Sequence, residues 1–402
     1  MPQHARTGLL PRLVLLLALL GLWPAPSRAQ EYPDDDDGVE VVLCLSGGGT
    51  RAAAFGLGAA RGLAEVDAGG VSLLERVDRV VGVSGGSLTA AQVALDRSPE
   101  GLQRFEERVL REDLERAMVR AAAADGISLA FRDLTRGDVA AGCFARRLGE
   151  LTFAELPARP ELLVLTADVE RNQPVVLSRR GLAELGLPAG ELTLARALAA
   201  SSAFPGVFPP VRLQARVPDD AGVDAGDDAG DDAGDDAGDD VAEGVATVDS
   251  AAAPALYLAD GGILDNLGLE PVLTARPAPT TRALVVVVVN ARCGLEADPA
   301  TRTSSWRLGL HTVAMQQRRI DALLLERARA HLRLLELEAR LEGRALRTEL
   351  IVVDFCGAER REALDRIGTR FALDEAEVTL LLEEGRAQAR ARAQAAATHW
   401  AR

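Results

Sequence analysis

Two short apolar segments of this sequence each end in a glycine-rich turn that is followed by a helical pattern. The first, Val39–Leu45, leads into Ser46-Gly47-Gly48-Gly49, and the second, Val77–Val83, leads into Ser84-Gly85-Gly86. A strand, a tight turn and a helix that recur in succession are typical of a parallel sheet with right-handed crossovers. The sequence therefore predicts an α/β fold.

The later apolar segments extend this pattern. Five consecutive valines at 285–289 must be covered on both faces, which indicates helices on each side of the sheet. We predict a three-layer α/β/α domain with a mostly parallel central sheet. Further strands are predicted at Leu162–Asp168, Val175–Leu177, Leu256–Ala259, Leu284–Val289 and Leu350–Phe355, and helices at 51–67, 85–95, 100–125, 192–200, 304–342 and from Asp374 onward.

The charge of the chain is concentrated in two acidic tracts. The net charge is −15, but eleven aspartates lie between 219 and 240 and four more at 34–37. Segment 214–253 has few apolar residues to bury, so we predict a disordered acidic insertion, with a cation site as the alternative reading. Because the remainder is nearly neutral and only 3% of residues are aromatic, we expect no nucleic-acid partner.

The N-terminus has the pattern of a secretory signal. Arg6 and Arg12 precede an apolar run, Leu13–Trp23, which is too short to span a bilayer and is followed by a small-residue site at Ser27-Arg28-Ala29. We predict a signal peptide over 1–29, with an uncleaved anchor as the alternative, and an acidic linker over 30–38. The predicted location is periplasmic, cell-surface or secreted.

The four cysteines match no zinc-binding pattern. Cys293 and Cys356 each follow a strongly apolar predicted strand, so a disulfide between adjacent strand ends is one possibility in an exported protein. Buried free thiols are the default expectation for all four, including Cys44 and Cys143. We predict no metal site and no cofactor.

The pentapeptide Gly82-Val83-Ser84-Gly85-Gly86 is a G-x-S-x-G motif placed where a strand meets a helix. Glycines allow the unusual backbone angles of such a turn, which presents the serine hydroxyl at a helix N-terminus. Ser84 is therefore a candidate nucleophile, with Gly82 and Gly86 completing the nucleophile elbow. The alternative reading is a helix N-cap serine.

Two further glycine motifs flank this candidate. Consecutive amides in Gly47-Gly48-Gly49-Thr50-Arg51 could point at one anion, such as the oxyanion of acyl transfer. A phosphate-binding loop is the weaker alternative, because no Walker lysine follows, so we expect no nucleotide. Asp260-Gly261-Gly262 follows a short strand, where catalytic groups of α/β sheets collect, although alone it would be read as a turn.

Histidine is the usual base for a serine nucleophile, but none of the four histidines lies at a position favourable for that role. His4 lies in the signal, His399 lies near the C-terminus, and His311 and His331 lie in helical patterns rich in leucine and arginine. A triad histidine usually occupies a loop above the sheet. Asp260 is therefore the candidate base.

This set of motifs resembles the patatin-like phospholipases. The glycine loop, the serine elbow, the block Ala200–Pro210 and the Asp-Gly-Gly motif occur in the order found in that family, over roughly 39–290. Two positions depart from the family pattern: Ala52 replaces a common glycine, and Leu267 replaces a proline that commonly follows the asparagine. The resemblance implies a patatin-like fold distinct from the standard α/β-hydrolase, with 291–402 as a helical part completing the domain.

The resemblance also implies a Ser/Asp dyad. Ser84 would attack an ester carbonyl, Asp260 would accept its proton, and amides of Gly48 and Gly49, helped by Gly47 and Arg51, would hold the oxyanion. The implied substrate is a phospholipid or other lipid ester at a membrane surface. A Ser/Asp/His esterase using His311 or His331, and a catalytically silent lipid-binding protein, are the alternatives.

Overall fold

The computed structural model describes residues 30–31, 38–113, 116, 136–205, 208–214, 255–293, 305–370 and 372–400. The predicted signal 1–29 lies outside these residues. So does the predicted acidic insertion, apart from Gln214, which ends a strand. Within the predicted linker 30–38, residues 30 and 31 form a short strand paired in parallel with Ala275–Arg276.

The secondary structure alternates between strands and helices along most of the described chain. The strands are β1 (Gln30–Glu31), β2 (Val39–Leu45), β3 (Arg79–Val83), β4 (Glu161–Asp168), β5 (Gln173–Leu177), β6 (Val211–Gln214), β7 (Ala255–Asp260), β8 (Ala275–Arg276), β9 (Ala283–Asn290) and β10 (Arg347–Asp354). The α-helices are α1 (Gly49–Leu63), α2 (Gly85–Leu95), α3 (Pro99–Phe105), α4 (Arg136–Leu148), α5 (Arg179–Glu184), α6 (Leu194–Ser201), α7 (Glu270–Thr274), α8 (Ser305–Leu341), α9 (Arg361–Asp365) and α10 (Glu375–Trp400).

The predicted elements agree with these bounds to within a few residues. The predicted strand Leu350–Phe355 begins earlier, at Arg347, and Phe355 belongs to a 3-10 turn. Strand β6 and the helices α4, α5, α7 and α9 were not predicted. Of the helices expected over 100–125, the described residues contain α3 and a π-helical turn at Glu106–Leu110.

The central sheet is mostly parallel, which confirms the predicted fold class. Its strand order is β10-β9-β2-β3-β4-β7-β6, with β5 paired to β4. The pairs from β10 to β4 are parallel, whereas β4–β5, β4–β7 and β7–β6 are antiparallel. The sheet therefore presents the carboxyl ends of β2, β3 and β9 along one edge.

Alternate residues of the central strands enter two separate hydrophobic cores. Val285 and Val287 of β9 pack with α1, α2 and α10 on one face. Val286 and Val288 pack with α7 and α8 on the other. Because side chains alternate along a strand, the valine run is covered on both sides, and the molecule has the expected three layers.

Helices α1 and α10 pack backbone against backbone. An added Cβ at Gly58 would lie 2.3 Å from the Leu382 carbonyl oxygen, and one at Gly385 would lie 2.3 Å from the Phe55 carbonyl oxygen. Such distances leave no room for a side chain at either position. The C-terminal helix is therefore fixed directly onto the helix that follows the glycine loop.

Cys293 and Cys356 form a disulfide, with their Cα atoms 4.9 Å apart. They follow β9 and β10, which are neighbouring parallel strands. The bond corrects the default expectation of free thiols for this pair. Cys44 and Cys143 are free and buried, as expected.

Candidate active site

Ser84 occupies a strained turn between β3 and α2. Its backbone angles are φ 50° and ψ −125°, a conformation that residues with side chains rarely adopt. Close packing explains why the neighbouring residues are glycines. A Cβ added at Gly82 would lie 2.5 Å from Ser87 Cα, and one added at Gly86 would lie 2.4 Å from the Ser46 carbonyl oxygen. The turn has the geometry of a nucleophile elbow.

A second serine supports this turn from α6. The Ser84 amide donates a 2.9 Å hydrogen bond to Ser201 Oγ, whose hydroxyl donates in turn to the Leu165 carbonyl at 2.7 Å. Ser201 belongs to the block 200–210 that resembles the family, but the sequence did not reveal its contact. Because the Ser84 amide has this partner, it is not a candidate oxyanion donor.

Strand pairing brings Asp260 to Ser84. Val83 pairs with Leu165 of β4 in parallel, and Asp260 pairs with the next residue, Thr166, in the antiparallel direction. Thr166 also pairs with β5 on its other side, so β3 and β7 occupy the same side of β4 and meet end to end. The predicted nucleophile and base are therefore brought together, although 176 positions separate them in the sequence.

The Asp260 carboxylate accepts a hydrogen bond from the Gly262 amide at 2.8 Å. The Ser84 side chain lies close enough to favour the ionised carboxylate as a hydrogen-bond donor. The Asp260 amide donates to the Ala203 carbonyl at 3.1 Å, which links Asp260 to the family-like block 200–210. Asp260 is 4% exposed, and Ser84 is 9% exposed.

Burial raises the pKa of Asp260 to about 6. Removal from water disfavours the charged carboxylate, while the hydrogen bonds from Ser84 and Gly262 and the charge of Arg292 favour it. A carboxylate with this pKa is ionised at neutral pH and is a stronger base than an ordinary aspartate. It is suited to accept a proton from an adjacent hydroxyl.

The glycine loop lies beside this pair. An added Cβ at Gly47 would lie 3.2 Å from Ser84 Cβ. The Gly47 amide donates a hydrogen bond to the Asn266 carbonyl at 3.0 Å. Because this amide already has a partner, we do not include it among the proposed oxyanion donors. Gly48 and Gly49 adopt positive φ angles of 143° and 64°. Their amides remain the proposed donors.

Arg51 connects the same loop to the C-terminal segment. Its guanidinium donates to the Ile367 carbonyl at 2.7 Å and lies over the Phe355 ring, 5.6 Å from the centroid. Burial lowers the pKa of Arg51 to about 10, with a further contribution from Arg292. The structure thus gives this side chain an anchoring contact, and any direct contribution to oxyanion binding stays a prediction.

His331 lies far from the Ser84–Asp260 contact. His331 is half-buried, contacts the backbone of Ala275, and has a pKa lowered by burial. It lies fourteen residues beyond Gln317 on α8, which is about 21 Å along a helix, whereas Gln317 bonds to Gly262 next to Asp260. A triad through His331 is therefore incompatible with this fold.

The described residues contain no cluster of three or more histidine, cysteine, aspartate or glutamate side chains arranged to hold a metal ion. No helix within the described ranges combines the length and apolarity needed to cross a membrane.

Comparison with known proteins identifies the family. The model of the family described as patatin-like phospholipase matches residues 43–273, which is more than half of the chain and includes Ser84 and Asp260. The chain belongs to the patatin-like phospholipase family. Membership supports lipid acyl hydrolase activity. No curated protein sequence matches the chain.

Solved structures with detectable similarity include two that differ greatly in coverage. Human GIVD cytosolic phospholipase A2 is 19% identical with a TM-score of 0.31, over 42% of this chain and 28% of the human chain. VipD from Legionella pneumophila is 14% identical with a TM-score of 0.37, over 94% of this chain and 73% of VipD. The chain thus spans little more than a quarter of the human protein.

Proposed function

We propose that this protein is an exported lipid acyl hydrolase of the phospholipase A or lysophospholipase type, acting through a Ser84–Asp260 dyad. The observation that carries this proposal is the placement of Ser84, on a strained elbow beside a glycine loop, next to the buried Asp260 carboxylate where β3 and β7 meet end to end. Family membership supports the lipid ester as the substrate class. Long-chain lipids reside in membranes or micelles, so we place the reaction at such a surface.

The proposed reaction proceeds in two steps. Asp260 accepts the Ser84 proton while Oγ attacks the ester carbonyl carbon, and the amides of Gly48 and Gly49 stabilise the oxyanion. The intermediate collapses, the C–O bond breaks, and the leaving alcohol takes the proton from Asp260. Water, deprotonated by Asp260, then attacks the acyl-enzyme, releasing a fatty acid and restoring the Ser84 hydroxyl.

Two features support export to a periplasmic, cell-surface or extracellular location. Residues 1–29 have the pattern of a secretory signal. The Cys293–Cys356 disulfide fits a compartment in which thiols are oxidised.

Product analysis tests the proposed activity. Vesicles of a phosphatidylcholine with two different acyl chains should yield one free fatty acid and one lysophospholipid, identified by mass spectrometry. The Ser84→Ala variant serves as the control for contaminating lipases. Absence of acyl release by the wild-type protein, or equal release by the variant, would contradict the proposal.

The rate should depend on pH through Asp260. Only the ionised carboxylate can accept the serine proton, and its pKa is raised to about 6. We therefore expect kcat/KM for a soluble short-chain ester to be constant above this pH and to fall about tenfold per pH unit below it. A profile that stays flat down to pH 4, near the ordinary aspartate pKa, would contradict this assignment.

A further inference from the structure

A glutamine on α8 holds the turn that carries Asp260. Gly262, whose amide binds the Asp260 carboxylate, presents its carbonyl to Gln317 Nε2 at 3.0 Å. Gln317 is 7% exposed. Because a buried amide that loses its partner is costly, this bond fixes the position of the turn. The turn that binds the carboxylate is thereby tied to α8.

The other end of the Gln317 side chain accepts a hydrogen bond from Arg292. The Nη1 atom of Arg292 lies 2.9 Å from Gln317 Oε1. A continuous chain of hydrogen bonds therefore runs from Arg292 through Gln317 and Gly262 to the Asp260 carboxylate. The amide group of Gln317 matches both partners, since one end donates to a carbonyl and the other accepts from a guanidinium.

The backbone on both sides of Arg292 is fixed. The amide of Ala291 donates to Ser46 Oγ at 3.1 Å, directly before the glycine loop. Cys293 is bonded to Cys356. These two contacts place Arg292 at the carboxyl edge of the sheet, between the glycine loop and α8.

Arg292 is buried among several charged groups. Burial lowers its pKa, Asp321 and then Asp260 attract it, and Arg318 repels it. Asp321 is itself buried, and burial raises its pKa to about 6, so its charge is only partly available near that pH. Arg292 is the charged group that acts on Asp260, and it favours the ionised carboxylate against the effect of burial.

We propose that Arg292 and Gln317 are positioning residues for the dyad: Gln317 fixes the turn that carries Asp260, and Arg292 holds the Gln317 side chain in place. The inference rests on the proposed function. It adds to that function two residues that lie outside the four family-like motifs, one after β9 and one on α8.

The charge of Arg292 is tested by Arg292→Gln and Arg292→Lys in the full chain. With a soluble short-chain ester, we expect the acid limb of the kcat/KM profile to move up by about one pH unit in Arg292→Gln. Arg292→Lys should retain the wild-type limb. An unchanged limb in Arg292→Gln, or an effect confined to KM in both variants, would overturn the role of Arg292.

The turn contact is tested by Gln317→Met, with Gln316→Met as the matched control on the exposed side of α8. Gln317→Met should lower kcat by about 10²-fold with little change in KM, because the base is misplaced. Gln316→Met should retain wild-type kcat. Equal kcat in the two variants would overturn the role of Gln317, and thermal melting shows whether each variant is folded.

The two Arg292 variants keep the inference testable if Gln317→Met fails to fold. An inactive wild-type protein would refute the proposed function itself. An active wild-type protein whose pH profile and kcat are insensitive to these substitutions would refute only the positioning network.

Discussion

Replacing Ser84 by alanine should lower ester hydrolysis by about 10⁴-fold or more while leaving the protein folded. The hydroxyl is the group that would form the acyl-enzyme, and it lies next to the Asp260 carboxylate. Alanine also removes no backbone contact, because the bond from the residue 84 amide to Ser201 does not involve the side chain. Turnover of a soluble short-chain ester and of phospholipid vesicles should fall together.

Ser98→Ala is the matched control for this substitution. Ser98 caps α3 through the Gly101 amide at 3.1 Å and takes no part in the site. Its replacement should cost about 1 kcal/mol of stability and leave turnover unchanged. Substantial hydrolysis by Ser84→Ala, at more than about a tenth of the wild-type rate, would mean that another group is the nucleophile.

Replacing Gly385 by alanine should destabilise the protein, although helix propensity alone predicts the opposite. In an exposed helix interior, this substitution stabilises by about 1 kcal/mol. At Gly385, however, the new Cβ would lie 2.3 Å from the Phe55 carbonyl oxygen and 3.0 Å from the Ala59 amide nitrogen. Both are backbone atoms of α1, so the helices must separate, and we expect a loss of about 1–3 kcal/mol in the free energy of unfolding.

The control for this effect is Gly142→Ala in α4. An added Cβ there would meet only the end of the Arg146 side chain, at 3.8 Å, so the propensity gain should dominate. Chemical denaturation of the two variants should therefore give changes of opposite sign. A stabilised Gly385→Ala would contradict the close packing of α10 against α1.

Ser84 and Asp260 could be identified as candidates because each lies in a local motif. The run Val77–Val83 and the glycines around Ser84 specify a strand and a tight turn without reference to the rest of the chain. Asp260 ends a strand, and its two following glycines permit close approach. The family resemblance then supplied their common role.

The contact between the two required information that no local pattern contains. Whether Asp260 reaches Ser84 depends on β7 meeting β3 end to end, which is set by the pairing of both strands with β4. Gln317 lies on the buried face of α8, whose sequence has the pattern of an ordinary amphipathic helix. Arg292 precedes a cysteine whose partner is 63 residues away.

The buried face of α10 could not be predicted from the sequence either, because it is built from small residues. Gly385, Ala389 and Ala393 recur every four positions; Gly385 and Ala389 pack against α1, and Ala393 is buried in the same core. A pattern of glycine and alanine carries little hydrophobic periodicity, so it predicts a helix but not the surface that the helix buries. Strand β6 was missed because four residues are too few to establish alternation.

Labelling with a fluorophosphonate probe tests most directly whether Asp260 activates Ser84. Intact-mass and peptide analysis would follow adduct formation in the wild-type protein, in Asp260→Asn and in the double variant His311→Ala, His331→Ala. The account predicts an adduct on Ser84 at the same rate in the wild-type protein and the double-histidine variant, and labelling at least about 10²-fold slower in Asp260→Asn. Wild-type labelling of Asp260→Asn, or loss of labelling in the double-histidine variant, would contradict it.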